Sequence, residues 1–140
     1  MNTAALLAML EVYFEAFAED DPGRRIELLA RCMTEDAEIW GPNLRFTGYE
    51  AISGKIAAFH RNWPGCRLVL ASGPTTFADF ARFGVAFDKN GSVIARGETI
   101  VEVAADGRIA TVVPFWELKL PPVPESWPQE WAVPGGTTSG

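Results

Sequence analysis

The apolar residues of this chain change period at Pro64-Gly65. Before that dipeptide they recur at three- and four-residue spacing, and after it they alternate. Helical stripes first and alternating strands afterwards define an α+β chain, with its helices segregated against a mainly antiparallel sheet. The 140 residues suit one domain of that kind. A content of 48% apolar and 21% charged residues excludes a disordered chain.

Residues 3–20 read as a first helix, capped by Thr3, with Leu6, Leu10, Tyr13, Phe14 and Phe17 on its buried face. Asp21-Pro22 starts a second helix, with aspartate as N-cap and proline at the first helical position. Its buried face is Ile26, Leu29, Cys32 and Met33, and the pair Arg24-Arg25 reads as a solvated helix start. Ala37 to Trp40 reads as a short strand stopped by Gly41-Pro42. Thr47-Gly48-Tyr49-Glu50 has the form of a capping box. A third helix follows to about Trp63, with Ile52, Ile56, Phe59 and Trp63 along one side.

The alternating part predicts strands over Arg67–Ser72, Phe77–Phe87, Val93–Val103 and Arg108–Leu118. Hairpin turns fall at Asp88-Lys89-Asn90-Gly91 and Ala105-Asp106-Gly107. Ala81, Phe83, Val85 and Phe87 share one face. Val93, Ala95, Gly97, Thr99, Val101 and Val103 share another, opposite Arg96, Glu98 and Glu102. The domain is expected over residues 1–120. Residues 121–140 carry five of the ten prolines and two of the five tryptophans. That composition predicts an extended arm, with Trp127 and Trp131 packing on the domain or on a neighbour.

Several function classes are disfavoured. The net charge is −6 and the basic residues are scattered, which argues against nucleic acid and anionic membrane surfaces. No apolar run approaches the roughly 18–20 residues of a membrane span. Cys32 and Cys66 are the two cysteines and His60 is the one histidine, so no zinc-ligand spacing exists. No basic residue precedes the first apolar run, so a cytoplasmic protein with reduced thiols is expected. No phosphate-binding loop, dinucleotide fingerprint or nucleophile elbow is present. No metal or cofactor is implied.

The element order, together with particular phrases, resembles the nuclear transport factor 2-like superfamily, in its SnoaL-like and ketosteroid-isomerase-like branch. The phrases are Tyr13 in the first helix, Asp21-Pro22, Met33-Thr34-Glu35-Asp36-Ala37-Glu38-Ile39-Trp40, Thr47-Gly48-Tyr49-Glu50-Ala51-Ile52 and Asp106-Gly107-Arg108-Ile109. The resemblance covers about residues 4–117. It implies a cone-shaped barrel in which three helices pack on a strongly curved sheet around an apolar pocket. It also implies a homodimer through the outer sheet face, and a hydrophobic small molecule as ligand.

Ketosteroid-isomerase-type chemistry uses a carboxylate base and two donors for an oxyanion. By the resemblance, Tyr13 falls at the donor tyrosine, Gly41 at the base and Thr99 at the second donor. Dehydratase-like members combine Tyr, His and Asp, which makes His60 the candidate base beside Tyr13. An imidazole is the usual proton acceptor near neutral pH. Epoxide-hydrolase-like members place Arg and Asp two apart on a strand. Arg96 and Glu98 imitate that spacing, but Val113-Pro114-Phe115 offers no further acid. Glu38 and Glu117 are reserve carboxylates.

Phe17, Trp40, Phe59, Trp63, Phe83 and Phe115 are the candidate pocket lining. Two readings follow. One is a cofactor-free isomerase, cyclase or dehydratase that moves a proton on a hydrophobic carbonyl or polyketide-like compound. The other is a non-catalytic binding or scaffold protein.

Overall fold

The structure is a computed structural model describing residues 1–116. The arm at 121–140, Glu117 and the end of the last expected strand lie outside the described residues. The described chain forms helices α1 (Thr3–Ala18), α2 (Pro22–Cys32) and α3 (Gly48–Asn62). Its strands are β1 (Met33–Trp40), β2 (Arg45–Thr47), β3 (Cys66–Phe77), β4 (Phe80–Lys89), β5 (Ser92–Val103) and β6 (Ile109–Trp116).

The helix starts show which cap signals operate. Asn2, not Thr3, caps α1, accepting hydrogen bonds from the backbone N–H groups of Ala4 (2.9 Å) and Ala5 (3.2 Å). Asp21 caps α2 as expected, accepting from the Arg24 N–H at 2.8 Å. Thr47 sits at the cap of α3 but makes no side-chain capping bond, so the expected capping box does not form.

β1, β3 and β5 are longer than alternation suggested, β4 starts later, at Phe80, and β2 is an addition. β1 begins at Met33 because it pairs in parallel with β6, Met33 opposite Ile109 and Ile39 opposite Val112. After Gly41-Pro42 the chain folds straight back, Gly41 N–H donating to the Leu44 carbonyl at 2.7 Å. Arg45 and Phe46 thereby pair with Trp40 and Ile39. β3 runs on through Pro74 to Phe77, which an edge strand tolerates. It then turns at Ala78, whose φ is +53°. A non-glycine residue in that conformation carries none of the usual turn signals, so sequence alternation reads straight through it. The β4–β5 hairpin has the expected turn, with Asn90 and Gly91 both at positive φ.

The sheet order is β2-β1-β6-β5-β4-β3. Only β1–β6 is parallel among these pairs, and β2 and β3 are open edges, so the sheet is curved without closing. Register shifts interrupt the β1–β6, β3–β4, β4–β5 and β5–β6 pairs, and such bulges bend and twist a sheet. Between sheet and helices lie fully buried Leu10, Leu28, Leu29, Met33, Ile39, Phe46, Ile52, Ile56, Phe83 and Val101. Each stabilises the fold by about 1.5–3 kcal/mol through removal from water.

One charged residue belongs to this interior. Arg25 is 2% exposed, which corrects the solvated reading of the Arg24-Arg25 pair. Its guanidinium donates to the carbonyls of Glu19 (3.0 and 2.9 Å), Asp20 (3.2 Å) and Ser53 (3.1 Å), and to the Ser53 hydroxyl (3.1 Å). It thereby ties the α1–α2 link to α3. Arg24, on the neighbouring face, stays exposed near Glu15 and Glu27. Cys32 and Cys66 are both buried free thiols. No described helix is long and apolar enough to cross a membrane.

Candidate functional site

An aromatic series crosses the space between α1, α3 and the helix-facing side of the sheet. Tyr13 packs on Phe17 (ring centroids 5.0 Å apart), Phe17 on Phe59 (6.2 Å), Phe59 on Phe87 (5.0 Å) and Phe87 on Trp116 (4.1 Å). Trp63 joins at Phe87 (6.2 Å), and Phe83 at Phe14 (6.2 Å). Spacing produces this: Tyr13 and Phe17 are one turn apart on α1, as are Phe59 and Trp63 on α3. Phe83, Val85 and Phe87 alternate onto the same face of β4.

Two of the expected lining residues point elsewhere. Phe115 is 58% exposed, because its neighbours Pro114 and Trp116 take the inner face of β6 and alternation turns it outward. Trp40 likewise faces away from buried Ile39, and the Arg45 guanidinium lies over its ring at 4.0 Å. Phe87 and Trp116 take their place. Gly97 makes room for Trp116, since a Cβ there would run into the Phe115 carbonyl and the Trp116 ring.

Tyr13 is 3% exposed, and no hydrogen bond joins its hydroxyl to another described residue. Burial pushes its pKa well above the ordinary phenol value, and the neighbouring Cys32 adds to this, so the hydroxyl stays a donor. Burial also pushes the Cys32 thiol up to about 12. Thr99 is 4% exposed on the inner face of β5, opposite Phe83 and Pro114.

His60 is differently employed. Its Nε2 meets the Phe17 carbonyl at 2.6 Å, and its Nδ1 lies 3.3 Å from the Asp20 carboxylate. A carbonyl only accepts, so Nε2 carries the proton and donates to Phe17, while Nδ1 faces the Asp20 carboxylate. The ring thus ties α3 to the end of α1. No hydrogen bond links Tyr13, Thr99 and His60 to one another among the described residues.

Arg96 and Glu98 lie exposed on the outer face, where Glu98 faces Arg82 at 3.8 Å. Glu38, opposite Thr111, also points outward from Ile39.

Lys55 is a half-buried charged residue that sequence reasoning also missed. It lies one turn before Phe59 on α3, half-buried, with its Nζ 5.7 Å from the ring centroids of both Phe17 and Phe46. No ion pair reaches it among the described residues. Removal from water lowers its pKa from the ordinary 10.5 to about 8. The available signal was its place in the stripe Ile52, Ile56, Phe59, where a long amine reaches the interior.

A separate open groove of about 320 Å³ lies between α1 and β3, flanked by Phe14, Leu68 and Leu70 and by Glu11, Glu15 and Arg67. The described residues contain no cluster of three or more metal-ligating side chains.

Three helices on one face of a curved, open six-stranded sheet make this the nuclear transport factor 2-like fold. Within it the chain resembles the SnoaL-like branch. A SnoaL-like family protein of Agrobacterium tumefaciens, proposed to be an isomerase, superposes with a TM-score of 0.74 at 29% identity, over 82% of this chain and 99% of that one. A SnoaL-like protein of Jannaschia, proposed to be a polyketide cyclase, superposes at 0.65 with 15% identity, over 82% and 87%. A nuclear transport factor 2-like protein of Exiguobacterium superposes at 0.60 with 19% identity, over 79% and 99%. The last two speak for the fold alone. No family model and no curated protein sequence matches the chain.

Proposed function

We propose that the chain is a cofactor-free enzyme that moves a proton on a hydrophobic carbonyl or polyketide-like compound held in its aromatic interior. The observation that carries this reading is Tyr13: a phenol among Phe14, Phe17 and buried aliphatics, kept protonated and free of any described hydrogen-bond partner. An O–H donor of this kind suits a carbonyl oxygen that gains charge as an adjacent C–H bond breaks. Thr99 is a second hydroxyl on the sheet side. The likeness to the Agrobacterium protein supports the same reading.

A non-catalytic binder is favoured by a different observation. Gly41 has no side chain at the position of a base, and His60 donates its Nε2–H to the Phe17 carbonyl with Nδ1 turned to Asp20. The outer sheet face supports self-association in either case. It exposes Phe77 (82%), Phe80, Ile94 and Phe115 alongside Arg82, Arg96 and Glu98, a mixture suited to a second copy of itself.

The test is a thermal-shift screen with steroids, aromatic polyketides and terpenoid carbonyl compounds on the native protein and Tyr13→Phe. Hits are then incubated in deuterated water. Stabilisation weakened about tenfold in affinity by Tyr13→Phe, with deuterium entering the ligand beside its carbonyl, supports the enzyme. Binding without exchange supports the binder. No binding by any class overturns both.

A further inference from the structure

We infer that Lys55 is a carbonyl-capturing amine, which forms a Schiff base with a hydrophobic aldehyde or ketone entering beside Phe17 and Phe46. The inference does not rest on the proton-transfer reading, and requires only that the aromatic interior admits a carbonyl compound.

The setting differs from that of an ordinary surface lysine. The residue is half-buried, and its amine is removed from water beside the aromatic interior. Its Nζ lies 5.7 Å from the centroids of both phenyl rings, and no carboxylate pairs with it among the described residues. Of the charged groups on surrounding elements, Arg25 of α2 donates to the main-chain carbonyls of Glu19, Asp20 and Ser53, the Asp20 carboxylate faces His60, and Arg45 of β2 lies over the Trp40 ring. Glu50, on the first turn of α3, is exposed, and no ion pair joins it to Lys55 among the described residues. With burial opposing its charge, the amine is in part neutral near neutral pH, and the neutral amine is the nucleophile.

The chemistry closes without a cofactor. The Nζ lone pair attacks the carbonyl carbon, forming a C–N bond as the C=O π pair moves to oxygen, which takes one of the two protons of the nitrogen. The carbinolamine then loses that oxygen as water, with the second proton from nitrogen, and leaves a C=N bond. Tyr13 packs on the same Phe17 ring as the Lys55 amine and is a protonated donor for the departing oxygen. Apolar walls around both groups favour a hydrophobic carbonyl compound over a sugar.

The chain has three lysines, of which Lys89, in the β4–β5 hairpin, is exposed and serves as an internal standard. The experiment incubates the native protein with 2-naphthaldehyde and sodium cyanoborohydride at pH 7.5 and maps the reduced adduct by peptide mass spectrometry. At a pKa of about 8 roughly a quarter of the Lys55 amine is neutral at that pH, against about one part in a thousand for an ordinary lysine. Lower basicity takes back part of that advantage. The expected result is labelling of Lys55 about tenfold or more faster than Lys89.

A parallel reaction with formaldehyde reads access alone. Equal labelling of the two lysines by naphthaldehyde, or Lys55 labelled by formaldehyde but not by naphthaldehyde, overturns the inference. So does a Lys55 inert to both. The proton-transfer reading is judged separately by deuterium exchange. Trapping without exchange sustains the amine site alone, and exchange without trapping sustains proton transfer alone.

Discussion

The Nε2 of His60 and the carbonyl oxygen of Phe17 are 2.6 Å apart, so a side chain of α3 closes the last turn of α1. The final carbonyls of a helix have no partner within it, and this imidazole supplies one. His60→Ala is expected to lower unfolding stability by about 1–2 kcal/mol, with His60→Gln recovering part through its amide N–H. Urea denaturation of the three proteins checks this. A His60→Ala protein as stable as the native one would show that the bond contributes nothing.

Arg25 carries a larger share of the fold. Its removal leaves the buried carbonyl of Ser53 and the part-buried carbonyls of Glu19 and Asp20 without their donors. Arg25→Met is expected to lose about 3 kcal/mol or more, and Arg25→Lys to restore little, because an ammonium cannot reproduce the planar fork. The neighbouring Arg24→Met, on the exposed face, should change stability by less than about 0.5 kcal/mol. Comparable losses at both positions would contradict the buried role of Arg25.

Stability should pass through a maximum near pH 9. Lys55 has a folded pKa of about 8 against an ordinary 10.5, so between those values the unfolded chain binds more protons and stability rises with pH. The rise is at most about 1.4 kcal/mol per pH unit. Cys32 works in the opposite sense. Its folded thiol is raised from the ordinary 9.0 to about 12, so the unfolded chain releases its proton first and stability falls above about pH 9. Tyr13, also raised, adds to the fall above its ordinary value. Urea midpoints from pH 7.5 to 10 should show the rise between pH 8 and 9 in the native protein and lose it in Lys55→Met. A flat native profile over that interval would count against the burial of the amine.

Gly97 sets the approach of β6. A methyl group there meets the backbone oxygen of Phe115, which cannot rotate away, and the edge of the Trp116 ring. Gly97→Ala is therefore expected to cost about 1–3 kcal/mol by overpacking. Gly91→Ala has no such clash and bears only the strain of its positive φ. Melting temperatures of both variants make the comparison, and an unperturbed Gly97→Ala would mean that β6 shifts freely.

The aromatic interior was legible because periodicity says which residues share a face. Tyr13 with Phe17, Phe59 with Trp63, and Phe83 with Phe87 follow from spacings of four and two. The errors have one cause. Trp40 and Phe115 are as apolar as their neighbours, yet alternation on β1 and β6 turns them outward once Ile39, Pro114 and Trp116 take the inner face. Hydrophobicity alone does not choose between two adjacent large residues; the register does.

Local chemistry within the sequence determined the α+β class, the Asp21 cap, the Asn90-Gly91 turn and the order of the helices and the longer strands. Each depends on neighbours a few positions away, through hydrogen bonds and backbone preferences that a short segment already possesses. Only the tertiary structure decided that β2 folds back on β1, that β1 runs parallel to β6, and that Arg25 lies inside while Arg24 stays out. It also decided that His60 ties α1 to α3, and that Lys55 lies beside Phe17 and Phe46. Those outcomes depend on groups far apart in the chain. A side chain's burial, and with it its charge and reactivity, is set by what packs over it once the chain has closed.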